Sequence, residues 1–132
     1  MTSTSHPVLI ETSIWITHLH RRNQVLQSAV TELIRSGQAV TCGAVATELV
    51  SGESQPDAQE RILTALGGLR YLECTYETWL NAGRVGAQLR AQGAGIPLPD
   101  LLIAALAIQH GCAIYTLDTH FQRIPNLTLY SP

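Results

Sequence analysis

The sequence predicts an α/β domain built on a mainly parallel sheet. Two observations predict it. Short apolar runs alternate with longer stretches of helical periodicity, the pattern of strands joined by crossover helices. One stretch, Leu101 to Ile108, is apolar on nearly every side, as expected of a helix enclosed by neighbouring elements. With 132 residues, the chain suits one domain, residues 1–132, around one core.

Taken in order, Val8 to Ile10 reads as the first strand, and Ser13 to His20 as a short helix capped by Thr12 or Ser13. Asn23 caps a helix carrying Val25, Leu26, Ala29, Val30, Leu33 and Ile34 at helical spacing, and Gly37 ends it in a left-handed cap. Ala39 to Cys42 is a second strand. Ala44 to Val50 is a helix stopped near Gly52. Pro56 and Asp57 open the next helix, which runs to Gly67-Gly68, and Leu69 to Cys74 alternates as a third strand. A longer helix covers about Tyr76 to Gln92. Pro97 and Pro99 launch the enclosed helix, which ends at His110-Gly111. Ala113 to Leu117 is a fourth strand and Leu127 to Tyr130 a fifth.

Composition narrows the function classes. The chain is 45% hydrophobic and 14% charged, which excludes a disordered, strongly charged polymer. No apolar stretch reaches the roughly 18 residues of a membrane span, and Met1 to Pro7 lacks the pattern of a signal peptide, so a cytoplasmic protein without membrane contact is expected. Cys42, Cys74 and Cys112 sit in apolar surroundings without metal-type spacing and read as free thiols. The net charge of −2 gives no global basic field for nucleic acid. All eight basic residues are arginines, which suit bidentate phosphate contacts; genomic base composition also explains them. The absence of lysine removes Schiff-base, Walker-type and receiver-type phospho-acceptor chemistry.

Four of the ten acids lie at the ends of apolar runs or within one: Glu11 after Val8-Leu9-Ile10, Glu48 between Thr47 and Leu49, Asp100 before Leu101-Leu102-Ile103, and Asp118 after Ile114-Tyr115-Thr116-Leu117. Each has a local reading. Glu11 and Asp118 can cap the turns that follow them, Asp100 can favour a helix dipole, and Glu48 can face solvent. Their joint placement points further, because parallel sheets build sites at the carboxyl ends of strands. Converging carboxylates repel one another unless a cation compensates them. Oxygen ligands of this kind suit Mg²⁺ or Mn²⁺ rather than zinc. Ser13 and Thr116 flank these acids and can orient them as supporting hydroxyls. His120, near Asp118, is placed to touch substrate, but a histidine in a turn reads first as a surface residue.

The motifs resemble those of PIN-domain ribonucleases, in particular VapC-type toxins of toxin–antitoxin pairs. Glu11-Thr12-Ser13-Ile14-Trp15-Ile16 is similar to the opening Asp-Thr-Ser-x-Trp-Ile. Thr47-Glu48-Leu49-Val50-Ser51-Gly52 is similar to the second motif, Pro99-Asp100-Leu101-Leu102-Ile103-Ala104-Ala105 to the third, and Thr116-Leu117-Asp118-Thr119-His120-Phe121 to the fourth. The resemblance implies a three-layer α/β/α sandwich and Mg²⁺- or Mn²⁺-dependent endoribonuclease activity. It further implies Glu11, Glu48, Asp100 and Asp118 as catalytic, metal-binding residues, RNA as substrate, a homodimer, and a cognate antitoxin protein as partner. One position departs from it: the first acid is Glu11 where the motif carries aspartate. An added methylene displaces the carboxylate in a site where Mg²⁺ asks for roughly 2.0–2.1 Å contacts. The expectations are therefore a nuclease, active or attenuated, or a catalytically silent binding module on the same scaffold.

Overall fold

The computed structural model describes residues 6–20 and 23–132; Met1 to Ser5 of the N-terminal segment and the arginine pair Arg21-Arg22 lie outside the described residues. Five strands, β1 (Val8–Ile10), β2 (Ala39–Cys42), β3 (Arg70–Leu72), β4 (Ala113–Tyr115) and β5 (Thr128–Leu129), form one sheet in the order β3-β2-β1-β4-β5. Every pairing is parallel, with Leu9 opposite Val40 on one side and Ile114 on the other. Among the described residues, six α-helices flank it: α1 (Thr12–His20), α2 (Gln24–Arg35), α3 (Gly43–Ser51), α4 (Pro56–Gly67), α5 (Tyr76–Ala91) and α6 (Leu98–His110). The expected three-layer α/β/α sandwich is what forms.

Burial explains why the central strands are apolar throughout rather than alternating. Val8, Leu9 and Ile10 are all buried, as are all four residues of β2, because helices cover both faces of a parallel sheet. Helix α6 buries every residue from Asp100 to Ala107, so the near-continuous apolar run does enclose a helix. Helix α5 lies against it, and Gly86 permits the close approach: a Cβ there would stand 3.1 Å from Leu101 Cδ1. The Thr78 hydroxyl, buried in α5, donates to Gln109 Oε1 of α6 at 2.7 Å and pins the pair.

Helix ends follow their sequence signals closely. The Asn23 side chain accepts from Leu26 N at 3.1 Å, and Thr75 and Thr78 form a reciprocal capping box at α5. Gly37 and Gly111 take φ values of 77° and 66°, the left-handed conformation expected where helices stop. Several boundaries differ from expectation. Helix α1 begins one residue earlier, at Thr12, with neither Thr12 nor Ser13 outside it as a cap. Helix α6 begins at Leu98, with Pro97 preceding it. Strand β4 stops at Tyr115 rather than Leu117 because the next donors leave the ladder. Leu117 N donates to Ser13 Oγ, and Asp118 N donates to Thr116 Oγ1. β3 and β5 are likewise shorter than their apolar runs.

No helix among the described residues is long and apolar enough to cross a membrane.

Candidate metal centre

The chain starts at the middle of its sheet, moves outward through β2 and β3, then returns to add β4 and β5 on the other side of β1. Order therefore reverses between β1 and β4, and their carboxyl ends leave a crevice there. Glu11 follows β1 directly. Asp118 follows β4 by three residues, at the head of a 3₁₀ turn (Thr119–Arg123). Glu48 comes from α3 and Asp100 from the first turn of α6.

Glu11 is 4% exposed, and its Oε1 is saturated by protein donors. Ser13 N donates to it at 3.1 Å, Ser13 Oγ at 2.5 Å and Thr116 Oγ1 at 2.6 Å. The first of these caps α1, so the local reading of Glu11 is realised. The two hydroxyls tie the end of β4 to the same oxygen. Oε2 receives no hydrogen bond from the described residues. Ser13 and Thr116 therefore support the acids as expected, and both act on Glu11.

Glu48, half-buried, accepts a hydrogen bond from Thr12 Oγ1 at 2.6 Å. Solvent alone does not hold it. Asp118 Oδ1 accepts from His120 N at 2.9 Å, which is the turn-capping contact its sequence position suggests.

Asp100 is the least satisfied of the four. It is 7% exposed, and its Oδ2 lies 3.5 Å from His120 Nδ1. That separation is an electrostatic contact rather than a well-formed hydrogen bond. Burial pushes its carboxyl up to about 6; the His120 imidazole opposes the rise, while the charges of Glu11, Asp118 and Glu48 add to it. Asp100 thus lies within electrostatic reach of the other three acids. Of the four acids, the structure brings Asp100 and Asp118 within ligand distance of one another, while Glu11 and Glu48 act on Asp100 by charge from outside that group.

Two residues of the site carried little signal in sequence. His120 Nδ1 is buried between two carboxylates, 3.3 Å from Asp118 Oδ1 and 3.5 Å from Asp100 Oδ2, without a well-formed hydrogen bond. It is part of the site and not simply a surface turn residue. Asp100, Asp118 and His120 offer ligand atoms that all lie within 4.8 Å of one another. Thr12 is the other, through its bond to Glu48. Its place inside the Thr12-Ser13 motif was the one available pointer.

These atoms fit a hard divalent cation. A buried carboxylate held up near neutral pH, with three further carboxylates around it, is short of positive charge, and the orphaned His120 Nδ1 marks where some is wanted. Among the described residues, no arginine forms an ion pair with any of the four acids.

The PIN domain family model matches residues 8–127. The chain belongs to the PIN domain family. This PIN domain is 29% identical over 126 residues to ribonuclease VapC11 of Mycobacterium tuberculosis, a match spanning 92% of this chain and 93% of that protein. Its fold is similar to a chain of VapBC2 from Rickettsia felis bound to a DNA fragment from their promoter, with a TM-score of 0.80, 23% identity, and 93% and 96% of the two chains covered. It is also similar to VapBC-5 of Mycobacterium tuberculosis, a member of the VapBC family of toxin–antitoxin systems, with a TM-score of 0.65, 19% identity, and 94% of each chain covered. The structural likenesses speak for the fold.

Proposed function

We propose that this PIN domain is an endoribonuclease toxin of a type II toxin–antitoxin pair. It cuts RNA phosphodiester bonds with Mg²⁺ or Mn²⁺ held by Glu11, Glu48, Asp100 and Asp118. The observation that carries the reading is the buried, under-compensated Asp100 carboxylate, surrounded by three more acids at the switch point of the sheet. Kinship to proteins named VapC ribonucleases supplies the substrate class.

A bound divalent ion supplies water activation and neutralisation of charge on the phosphate. The protein supplies the rest. Asp100 and Asp118 present carboxylate oxygens from two elements with His120 Nδ1 between them. Thr12 fixes the rotation of Glu48. Ser13 and Thr116 hold Glu11 Oε1, leaving Oε2 as the oxygen with bonding capacity to spare. The glutamate is accommodated by a tether that spans α1 and the end of β4, and on this reading the site is competent with Glu11 in place. On the same reading the chain acts in the cytoplasm as a homodimer and is restrained by a cognate antitoxin; the likeness to chains of toxin–antitoxin systems supports the last of these.

One observation favours a second reading, a silent binding module. Glu11 already spends one oxygen on three internal donors, so its first task is structural. Incubating the purified chain with a mixed RNA panel and Mg²⁺ or Mn²⁺ separates the two. Cleavage by the native chain, lost in Asp100→Asn, is the expected result. Absence of cleavage by both the native chain and its Glu11→Asp form would leave the silent module standing.

A further inference from the structure

Next to the acid cluster, an apolar cleft of about 340 Å³ opens between α3, β3 and the starts of α5 and α6. Its size falls at the lower end of the roughly 300–1,000 Å³ typical of ligand pockets. It is continuous with the site: Glu48 lines it, and so does Pro99, the residue before Asp100. Two of its walls are aromatic rings half open to solvent, Tyr71 at 51% and Trp79 at 49% exposed. Tyr71 is held in place by a close approach. A Cβ on Gly43 would lie 2.8 Å from its hydroxyl oxygen, so glycine there lets the phenol lie over the first residue of α3.

The polar groups of the cleft set what it accepts. Its charged lining residues are Glu48 and Glu73, and no cation is among them. A phosphate or carboxylate would be repelled. A neutral planar ring that donates N–H groups would not. Single-stranded RNA offers that chemistry, because its bases stack on aromatic side chains and are read along their hydrogen-bonding edges. A strand whose phosphodiester lies on the acids has a base beside it, and the cleft is the concavity at that point.

We propose that this cleft is the subsite for the RNA base adjacent to the scissile phosphate, stacked on Trp79 or Tyr71 and read by the Glu73 carboxylate. It favours guanine, the base whose edge presents two neighbouring N–H donors to a carboxylate's two oxygens. The inference rests on the RNA-cleaving function proposed above, and it assigns Trp79, Tyr71 and Glu73 to specificity rather than to the chemical step.

The test uses end-labelled pentanucleotides, 2′-O-methylated throughout so that binding is read without cleavage. They differ only in one central base and are titrated against the full chain in Mg²⁺ by fluorescence polarisation. The native chain should bind the guanine oligonucleotide most tightly. Trp79→Ala should weaken binding of all four by about tenfold, the scale of one lost base stack. Glu73→Gln should leave the overall affinity but erase most of the guanine preference, and Tyr71→Leu gives a second probe of the aromatic wall. Equal binding of all four bases, no binding by the native chain, or affinities unmoved by these variants would overturn the proposal. So would a Trp79→Ala chain that sediments as a monomer where the native chain is a dimer, with affinity per chain unchanged, since the cleft would then belong to a second copy. Binding as expected without cleavage of natural RNA would refute the proposed function and leave the subsite intact. Cleavage with unmoved variant affinities would do the reverse.

Discussion

Two corners of one acidic site solve the same electrostatic problem in different ways. At the Glu11 corner, a carboxylate 4% exposed collects three short donors from Ser13 and Thr116. At the Asp100 corner, a carboxylate 7% exposed has His120 Nδ1 at 3.5 Å and is pushed up to about 6. Equal burial with unequal satisfaction shows that burial alone does not mark a ligand position. The first corner is satisfied by the protein at Oε1, joining α1 to the end of β4, and keeps only Oε2 to spare. The second is left open to a cation.

The contrast can be broken most forcefully at Glu11. Glu11→Ala removes the acceptor of three hydrogen bonds and leaves the Ser13 and Thr116 hydroxyls and a helix-start N–H to find others. At about 1–3 kcal/mol per buried unsatisfied group, the expected loss is about 3 kcal/mol or more of unfolding free energy in urea titrations. Glu11→Gln keeps an acceptor oxygen and should cost much less. Equal losses for the two variants would show that the hydrogen bonds are not what holds this corner.

Asp100 should behave in the opposite sense. Its ordinary value of 3.8 rises to about 6 in the fold, so folding favours the protonated carboxyl. Its contribution to stability is complete below about pH 4 and is lost as pH rises through about 6. With divalent ions chelated, Asp100→Asn should therefore be more stable than the native chain by about 1–3 kcal/mol at pH 8. That advantage should vanish towards pH 4. Urea titrations at the two pH values check both magnitude and direction. A variant less stable than the native chain at pH 8 would mean that the carboxylate is better satisfied than its contacts indicate.

The smallest effect is expected at Thr12. Its hydroxyl donates to Glu48 Oε1 at 2.6 Å and touches no other acid of the site. Thr12→Val keeps the shape and removes the donor, and it should reduce metal-dependent RNA cleavage by about tenfold, in line with the loss of an orienting partner. Unchanged rates would show that Glu48 needs no such guide.

Much of this arrangement was legible in the sequence, for reasons that the same two corners make plain. The strands β1 and β2 and the helix α6 are written in runs that only burial on every side explains. Asn23, Gly37, Pro97 and Gly111 mark helix ends through backbone chemistry that acts locally. The four acids stood out because each interrupts or terminates apolar sequence. What the sequence could not reveal is which acid would be satisfied and which left wanting. Thr116 reaches Glu11 across 105 positions, and Thr12 reaches Glu48 across 36, contacts set by the β1–β4 pairing and the seating of α3 rather than by periodicity. His120 reads from sequence as a surface residue because a histidine in a turn has no pattern of its own. Periodicity alone carries β4 too far because its run continues through Leu117. The backbone there is instead diverted to Ser13 and Thr116 hydroxyls.

Calorimetric titration of Mn²⁺ into the native chain and into the Asp100→Asn, Asp118→Asn double variant tests the central claim most directly. Heat of binding in the native chain that disappears in the double variant, with both proteins folded by circular dichroism, is the result expected if these acids jointly hold a divalent ion. Identical Mn²⁺ affinity in the two proteins would contradict it.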